Sequence, residues 1–175
     1  MARSKATLDL LVRSTRHFDG GQREAQASTV RLVQVRTFVG AGVGTLLVRA
    51  VAVSDSEPGL RYQPTLMFSE VSWSEHPDPD HTVQVLDART GRVWYMAPLS
   101  WRHQPVSVRG TCPDFVHTWA WPLHQRLQAL WLGRPRPYQR KTTTRPPRNP
   151  EEVPGMCKHL LALVHVLAQW GWFTT

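Results

Sequence analysis

The amino-acid sequence predicts an α+β protein, with a small antiparallel β sandwich or barrel followed by a loop-rich segment that ends in one buried helix. Three observations carry this. Short runs of β-type residues divided by turn residues fill residues 29–109. The stretch after them is basic and rich in proline, with no acidic residue between Asp114 and Glu151. The chain then closes on an apolar run, Met156 to Trp170, whose spacing is helical.

The bulk composition sets the limits. A chain of 175 residues holds one ordinary domain, or a small β domain with an appendage. A hydrophobic content of 41% with 19% charge is that of a folded protein, while fourteen prolines and eleven glycines assign much of it to loops. Two cysteines cannot build a disulfide scaffold, so synthesis in a reducing cytoplasm is expected. The apolar run Leu10, Leu11, Val12 is too short for a secretory signal. No stretch approaches the roughly 20 apolar residues of a membrane helix, so no membrane partner is expected.

Residues 1–28 read as an N-terminal arm carrying Arg3, Lys5, Arg13, Arg16 and Arg23, with one short helix and a break at Asp19-Gly20-Gly21. The β domain follows at 29–109. Its candidate strands are Val30 to Val39, Thr45 to Ser54, Tyr62 to Val71, Thr82 to Asp87, Arg92 to Ala97 and Pro105 to Arg109. Gly40 to Gly44 turns the first pair, and Ala88 to Gly91 turns the fourth onto the fifth. Gly40 to Gly44 lacks the Lys-Ser/Thr of a phosphate loop, which leaves it a hairpin turn. His76, His81 and His103 stand in turn-like sequence with no catalytic spacing around them, and no catalytic residue is expected.

The third segment, 110–175, concentrates the charge. The net +8 of the chain owes much to Arg126, Arg134, Arg136, Arg140, Lys141, Arg145 and Arg148. Such a block suits an acidic partner, whether nucleic acid or a protein surface. Trp119, Trp121, Trp131 and Tyr138 among the cations fit stacking on bases, or a protein interface. Proline at 135, 137, 146 and 147 disfavours helix and central strand, so the block should be extended and able to lie against another chain. Arg134, Arg136, Arg140, Lys141, Arg145 and Arg148 are the candidate partner-binding residues.

Both cysteines fall in this segment. Thr111-Cys112-Pro113-Asp114-Phe115 opens it, and Gly155-Met156-Cys157-Lys158-His159-Leu160 begins the apolar helix. Asn149-Pro150-Glu151-Glu152 before it reads as one helical turn, limited by Pro154, with Gly155 opening the second helix. A Cys-x-His at a helix N-terminus directs two ligands to one side, where the helix dipole favours a thiolate. Zinc asks for four tetrahedral nitrogen or sulfur ligands, of which Cys112, Cys157 and His159 supply three. His117 is the first choice for the fourth, with His124 behind it; a water in an open position is the other option. The segment is therefore expected to be metal-knuckle-like.

At these residues the sequence resembles the SWIM-type zinc finger, Cys-x-Cys followed at a distance by Cys-x-His. It is still more similar to a version in tailed-bacteriophage structural proteins. There Cys-Pro-Asp-Phe and following aromatics lead through a basic, proline-rich loop to Asn-Pro, then Pro-Gly and Cys-Lys-His-Leu. Here those elements are Cys112 to Phe115, Trp119 and Trp121, Arg134 to Arg148, Asn149-Pro150, and Pro154 to Leu160. The likeness covers about the last 65 residues. One position departs from it, since Gly110 stands where the pattern has its first cysteine. The resemblance implies a component of the virion, in the tail, baseplate or neck, working as a homo-oligomer within a symmetric assembly and contacting other phage structural proteins. The competing expectation is a nucleic-acid-binding zinc-finger module. No paired carboxylates, nucleophile motif or phosphate loop points to an enzyme.

Overall fold

The computed structural model describes residues 6–54, 58–137 and 146–174. The first element among the described residues is α1 (Leu8–Asp19), capped by the Thr7 hydroxyl, which accepts from the Leu10 N–H at 3.3 Å. It stops at Gly20, in the left-handed conformation with φ of 65°. A second helix, α2 (Gln22–Ala27), follows at once. Leu8, Leu11 and Thr15 form a buried stripe on α1.

These helices replace most of the arm expected over 1–28. Their apolar stripe is too short to stand out in the sequence, yet it joins the main core. The Val106 N–H donates to the Ala6 carbonyl, tying the segment to the sheet, and the Met156 N–H donates to the Thr15 hydroxyl at 2.9 Å. Thr15 in turn donates to the Leu11 carbonyl at 2.7 Å. Replacing it with Val keeps the shape and leaves the Met156 N–H buried without its acceptor. A loss of about 1–3 kcal/mol in urea unfolding is the expected result, and an unchanged midpoint would remove this hydrogen bond from the account.

The strands are β1 (Arg31–Gly40), β2 (Thr45–Val53), β3 (Arg61–Tyr62), β4 (Thr65–Ser69), β5 (Trp73–Ser74), β6 (Val83–Leu86), β7 (Val93–Met96), β8 (Leu99–Ser100) and β9 (Val106–Arg109). The larger sheet runs β1-β2-β4-β9, all antiparallel, with β3 also on β2. The smaller sheet runs β5-β7-β6, also antiparallel. Both hairpins lie where the sequence placed them: Gly40 pairs with Thr45 across a short 3₁₀ turn, and Leu86 pairs with Val93. The single strand expected from Tyr62 to Val71 is divided, because Pro64 has no N–H to give the ladder. Along β2 the alternation is strict, with Leu46, Val48, Ala50 and Ala52 buried.

After β9 the chain makes a π-helical turn over Phe115–Trp119 and continues into α3 (Ala120–Leu127). The last helix, α4 (Lys158–Gln169), buries nearly all sides of its first two turns, from His159 to Val164. The last strand, β10 (Phe173–Thr174), pairs in parallel with β8. The turn at Asn149–Glu152 is not helical, and residues 154–157 are not helical either, so Gly155 lies outside α4. The buried side chains of all three expected segments belong to one cluster that includes Leu11, Val48, Phe68, Phe115, Trp119 and Leu163. The architecture is α+β with antiparallel sheets. None of the helices described is long and apolar enough to cross a membrane.

Candidate metal centre

Two close-packed turns bring the site together. Cys112 follows β9, and its sulfur accepts the Phe115 N–H at 3.3 Å, while the Val116 N–H bonds its carbonyl. That local bonding starts the π-helical turn and aims the thiol inward. Cys157 occupies the N-cap of α4 in an extended conformation, and its carbonyl accepts the Leu161 N–H. His159 then projects from the first turn of the helix.

The approach to Cys157 is fixed from both sides. Asn149 donates from its amide nitrogen to the Thr118 and Val153 carbonyls, and its amide oxygen accepts the Val153 N–H, which staples the turn to the π-helical segment. The Trp121 indole donates to Glu152, and Arg126 donates to the Glu151 carbonyl. Gly155 crosses directly over Trp119. A Cβ at this position would fall 2.6 Å from the indole ring and 2.8 Å from the Thr15 hydroxyl, so no other residue lets the strand pass.

The result is a cluster of Cys112, Cys157 and His159 whose donor atoms lie within 4.8 Å of one another. All three residues are buried, at 2%, 0% and 6% exposure. Imidazole Nδ1 of His159 is buried and has no hydrogen-bond partner among the described residues. A buried polar atom left without a partner costs about 1–3 kcal/mol. The two thiols are shifted in opposite directions. Hydrogen bonds from the Cys157 thiol and His159 hold the Cys112 thiol well below its usual range. Burial, together with the adjacent Cys112 sulfur, pushes Cys157 up. A divalent metal would bind both sulfurs as thiolates and release the protons they carry. The donor set of two sulfurs and one imidazole suits zinc; the structure shows a group able to bind a metal ion and does not identify the metal.

His117, expected as the fourth ligand, does not join. It projects from the π-helical turn, is exposed, and lines a different cleft with Trp121 and Asn149. The π-helical winding from Phe115 onward turns it away from Cys112. His124 is placed beside the Trp121 ring, 6.4 Å between centroids, and is not part of the cluster either.

A cleft of about 490 Å³ opens beside the cluster, lined by Cys112 and His159 together with Arg23, Tyr62, Asp114 and Lys158. The Tyr62 ring packs 4.8 Å from that of His159. Arg23 grips Asp114 with two bonds, Nε to Oδ2 at 2.9 Å and NH2 to Oδ1 at 2.8 Å. The guanidinium also donates to Asp19 and lies over the Trp119 ring at 4.9 Å. In the sequence Arg23 is one of five cations of the expected arm, and no local pattern marks it for this role.

Burial pushes the Asp114 carboxyl up, but the Arg23 guanidinium and the hydrogen bonds from Trp119 and Thr118 outweigh it and leave the group below its usual range. A depressed folded value means that this stability is present above the unfolded value and lost as pH falls through the folded one. Arg23→Ala is expected to cost about 2 kcal/mol, by leaving Asp114 partly buried without its cation. It should also flatten the acid limb of a plot of stability against pH; an unchanged limb would show that the pair contributes nothing.

Among the candidate partner-binding residues, Arg134, Arg136 and Arg148 are exposed and lie in neither helix nor strand, whereas Arg140, Lys141 and Arg145 lie outside the described residues. Of the aromatic residues, Trp119 is fully buried and Trp131 lies 5.9 Å from the Arg49 guanidinium, so both pack within the chain.

One constellation was not legible from spacing. Ser72 Oγ stands 2.8 Å from His81 Nε2, and His81 Nδ1 stands 2.8 Å from Asp78 Oδ2. This is hydroxyl, imidazole and carboxylate in the order of a serine hydrolase. The Asp78 carboxylate also accepts the N–H groups of Asp80 and His81, as a turn-capping aspartate does. Neither Ser72 nor His81 lines the cleft at the cluster or those near Trp121 and Trp170. The turn is accordingly expected not to react with a fluorophosphonate probe; labelling of Ser72 that His81→Ala abolishes would mark a hydrolase instead.

Compared with known proteins, the chain matches no family model, no curated protein and no solved structure.

Proposed function

We propose that the chain is a structural component of a tailed-bacteriophage particle, in the tail, baseplate or neck, that holds neighbouring subunits together. One zinc ion at Cys112, Cys157 and His159 pins its own fold. The observation that carries a holding rather than a reacting role is the state of Asp114. It is the carboxylate that shares the cleft with the cluster, and both of its oxygens are engaged, Oδ1 by Arg23 and Thr118 and Oδ2 by Arg23 and Trp119. A carboxylate held this way is a poor general base.

Support for the phage setting comes from the order of elements, Cys112 to Phe115, the basic proline-rich stretch, Asn149-Pro150 and Pro154 to Leu160. The exposed Arg134, Arg136 and Arg148 supply a surface for an acidic neighbour. The test is to isolate the native chain with whatever it is bound to, after crosslinking. Recovery in a particle of many copies, with crosslinks from residues 134–148 to another chain, is expected. Recovery as a free chain would overturn the reading.

The same exposed arginines favour a second reading, a nucleic-acid-binding module. Its signature is binding to random-sequence duplex DNA that falls steeply and log-linearly with salt. Substituting Glu at 134, 136 and 148 together should abolish assembly without moving the melting temperature of the isolated chain if the first reading holds. Lost DNA binding with assembly intact supports the second.

A further inference from the structure

The three donors of the cluster leave a tetrahedral ion one ligand short. Among the described residues, no further His, Cys, Asp or Glu stands with these three. A Cβ at Gly110 would lie 2.9 Å from Cγ of Phe115, so a side chain there would have to displace a fully buried ring. Asp114 is committed to Arg23, Thr118 and Trp119. His117 faces another cleft.

Access to the site is one-sided. Cys112 and His159 line the cleft of about 490 Å³, whereas Cys157 does not and is fully buried behind them. A small molecule entering the cleft would reach the donors from the side of Cys112 and His159.

Charge selects what enters. Two thiolates would balance a divalent ion, and the Arg23 charge is offset by Asp114 and Asp19. Lys158, on the cleft wall in the first turn of α4, has no ion pair among the described residues. The remaining wall is neutral, with Gln22, Gln26 and Thr29 offering hydrogen bonds. These charges cancel in sum, so what favours a negative ligand is local: the Lys158 ammonium on the cleft wall and the N-terminal end of α4 beside it.

We propose that the metal held by Cys112, Cys157 and His159 keeps one coordination position for a small exogenous anion, admitted through this cleft and held there by Lys158. The inference rests on the metal-binding reading above and goes beyond it, since a fold-pinning ion needs no exchangeable ligand.

The test uses the full chain loaded with cobalt(II) in place of zinc, because its visible absorption reports each change of ligand. Cobalt at about one equivalent per chain, displaced by zinc and absent from Cys157→Ser, establishes the metal site first. Sodium azide is then titrated at constant ionic strength. A saturable change in the visible bands is expected, weakened about tenfold in Lys158→Glu, which reverses one nearby charge. Cobalt content is read alongside; if Lys158→Glu lowers it, Lys158→Gln serves with a smaller expected loss.

Cobalt bound at full stoichiometry with bands indifferent to azide would overturn the open position and leave the metal site standing. Bands that change with protein concentration as a dimer forms would overturn it too, by showing a ligand donated from a second copy. Failure of cobalt and zinc to bind at all sinks the metal reading and this inference with it.

Discussion

Purified with zinc in the medium, the chain is expected to carry about one zinc ion, and Cys157→Ser is expected to carry none. Cys157 is the donor with the most to lose, being fully buried at the N-cap of α4 and held next to the Cys112 sulfur. In small zinc domains the ion supplies about 10–16 kcal/mol of apparent binding energy. Here the fold has a core of its own, so the chain without metal should be folded but weaker. A site saturated at 1,000 times its dissociation constant adds about 4 kcal/mol. Chelation should therefore lower the melting temperature of the wild type sharply and that of Cys157→Ser hardly at all. Metal content unchanged by the substitution would show that the cluster is not the site. Equal melting temperatures with and without chelator would show that the cysteines are only buried side chains.

Trp119→Ala is the second large effect, with an expected cost of about 3–5 kcal/mol, a sizeable share of the 5–15 kcal/mol that holds a typical domain together. Trp119 has no exposure, meets Phe18 edge-on at 4.9 Å between centroids and lies under the Arg23 guanidinium at 4.9 Å. Its ring is also the floor on which Gly155 passes. Removing it should release the Pro154-Gly155 crossing that presents Cys157, so metal affinity should fall along with the urea midpoint. A variant that loses stability yet binds metal as tightly as before would uncouple the ring from the site.

Local chemistry was enough for part of this protein. The alternation in Thr45–Val53, the glycines after β1, the turn at Ala88 to Gly91 and the apolar spacing of α4 each act over a few residues. The meeting of Cys112, Cys157 and His159 was also legible, because cysteine and histidine are few and stand beside identifiable turn and helix signals.

What the tertiary structure decided are the contacts between residues far apart in the chain. Residues 8–27 read as an arm because Leu8, Leu11 and Thr15 make too short a stripe to announce burial; the Met156 N–H and the core give these three their partners. Arg23 looked like one more surface cation until Asp114 and Trp119 closed on it. His117 was near enough to Cys112 in sequence to be a ligand, but a π-helical turn sends its side chain outward. The Ser72, His81 and Asp78 chain is local by contrast, formed by how one turn closes. Periodicity and turn residues act within the chain's own neighbourhood, so they specify elements; which faces meet, and which donors an ion finds, depends on long-range packing that no local pattern encodes.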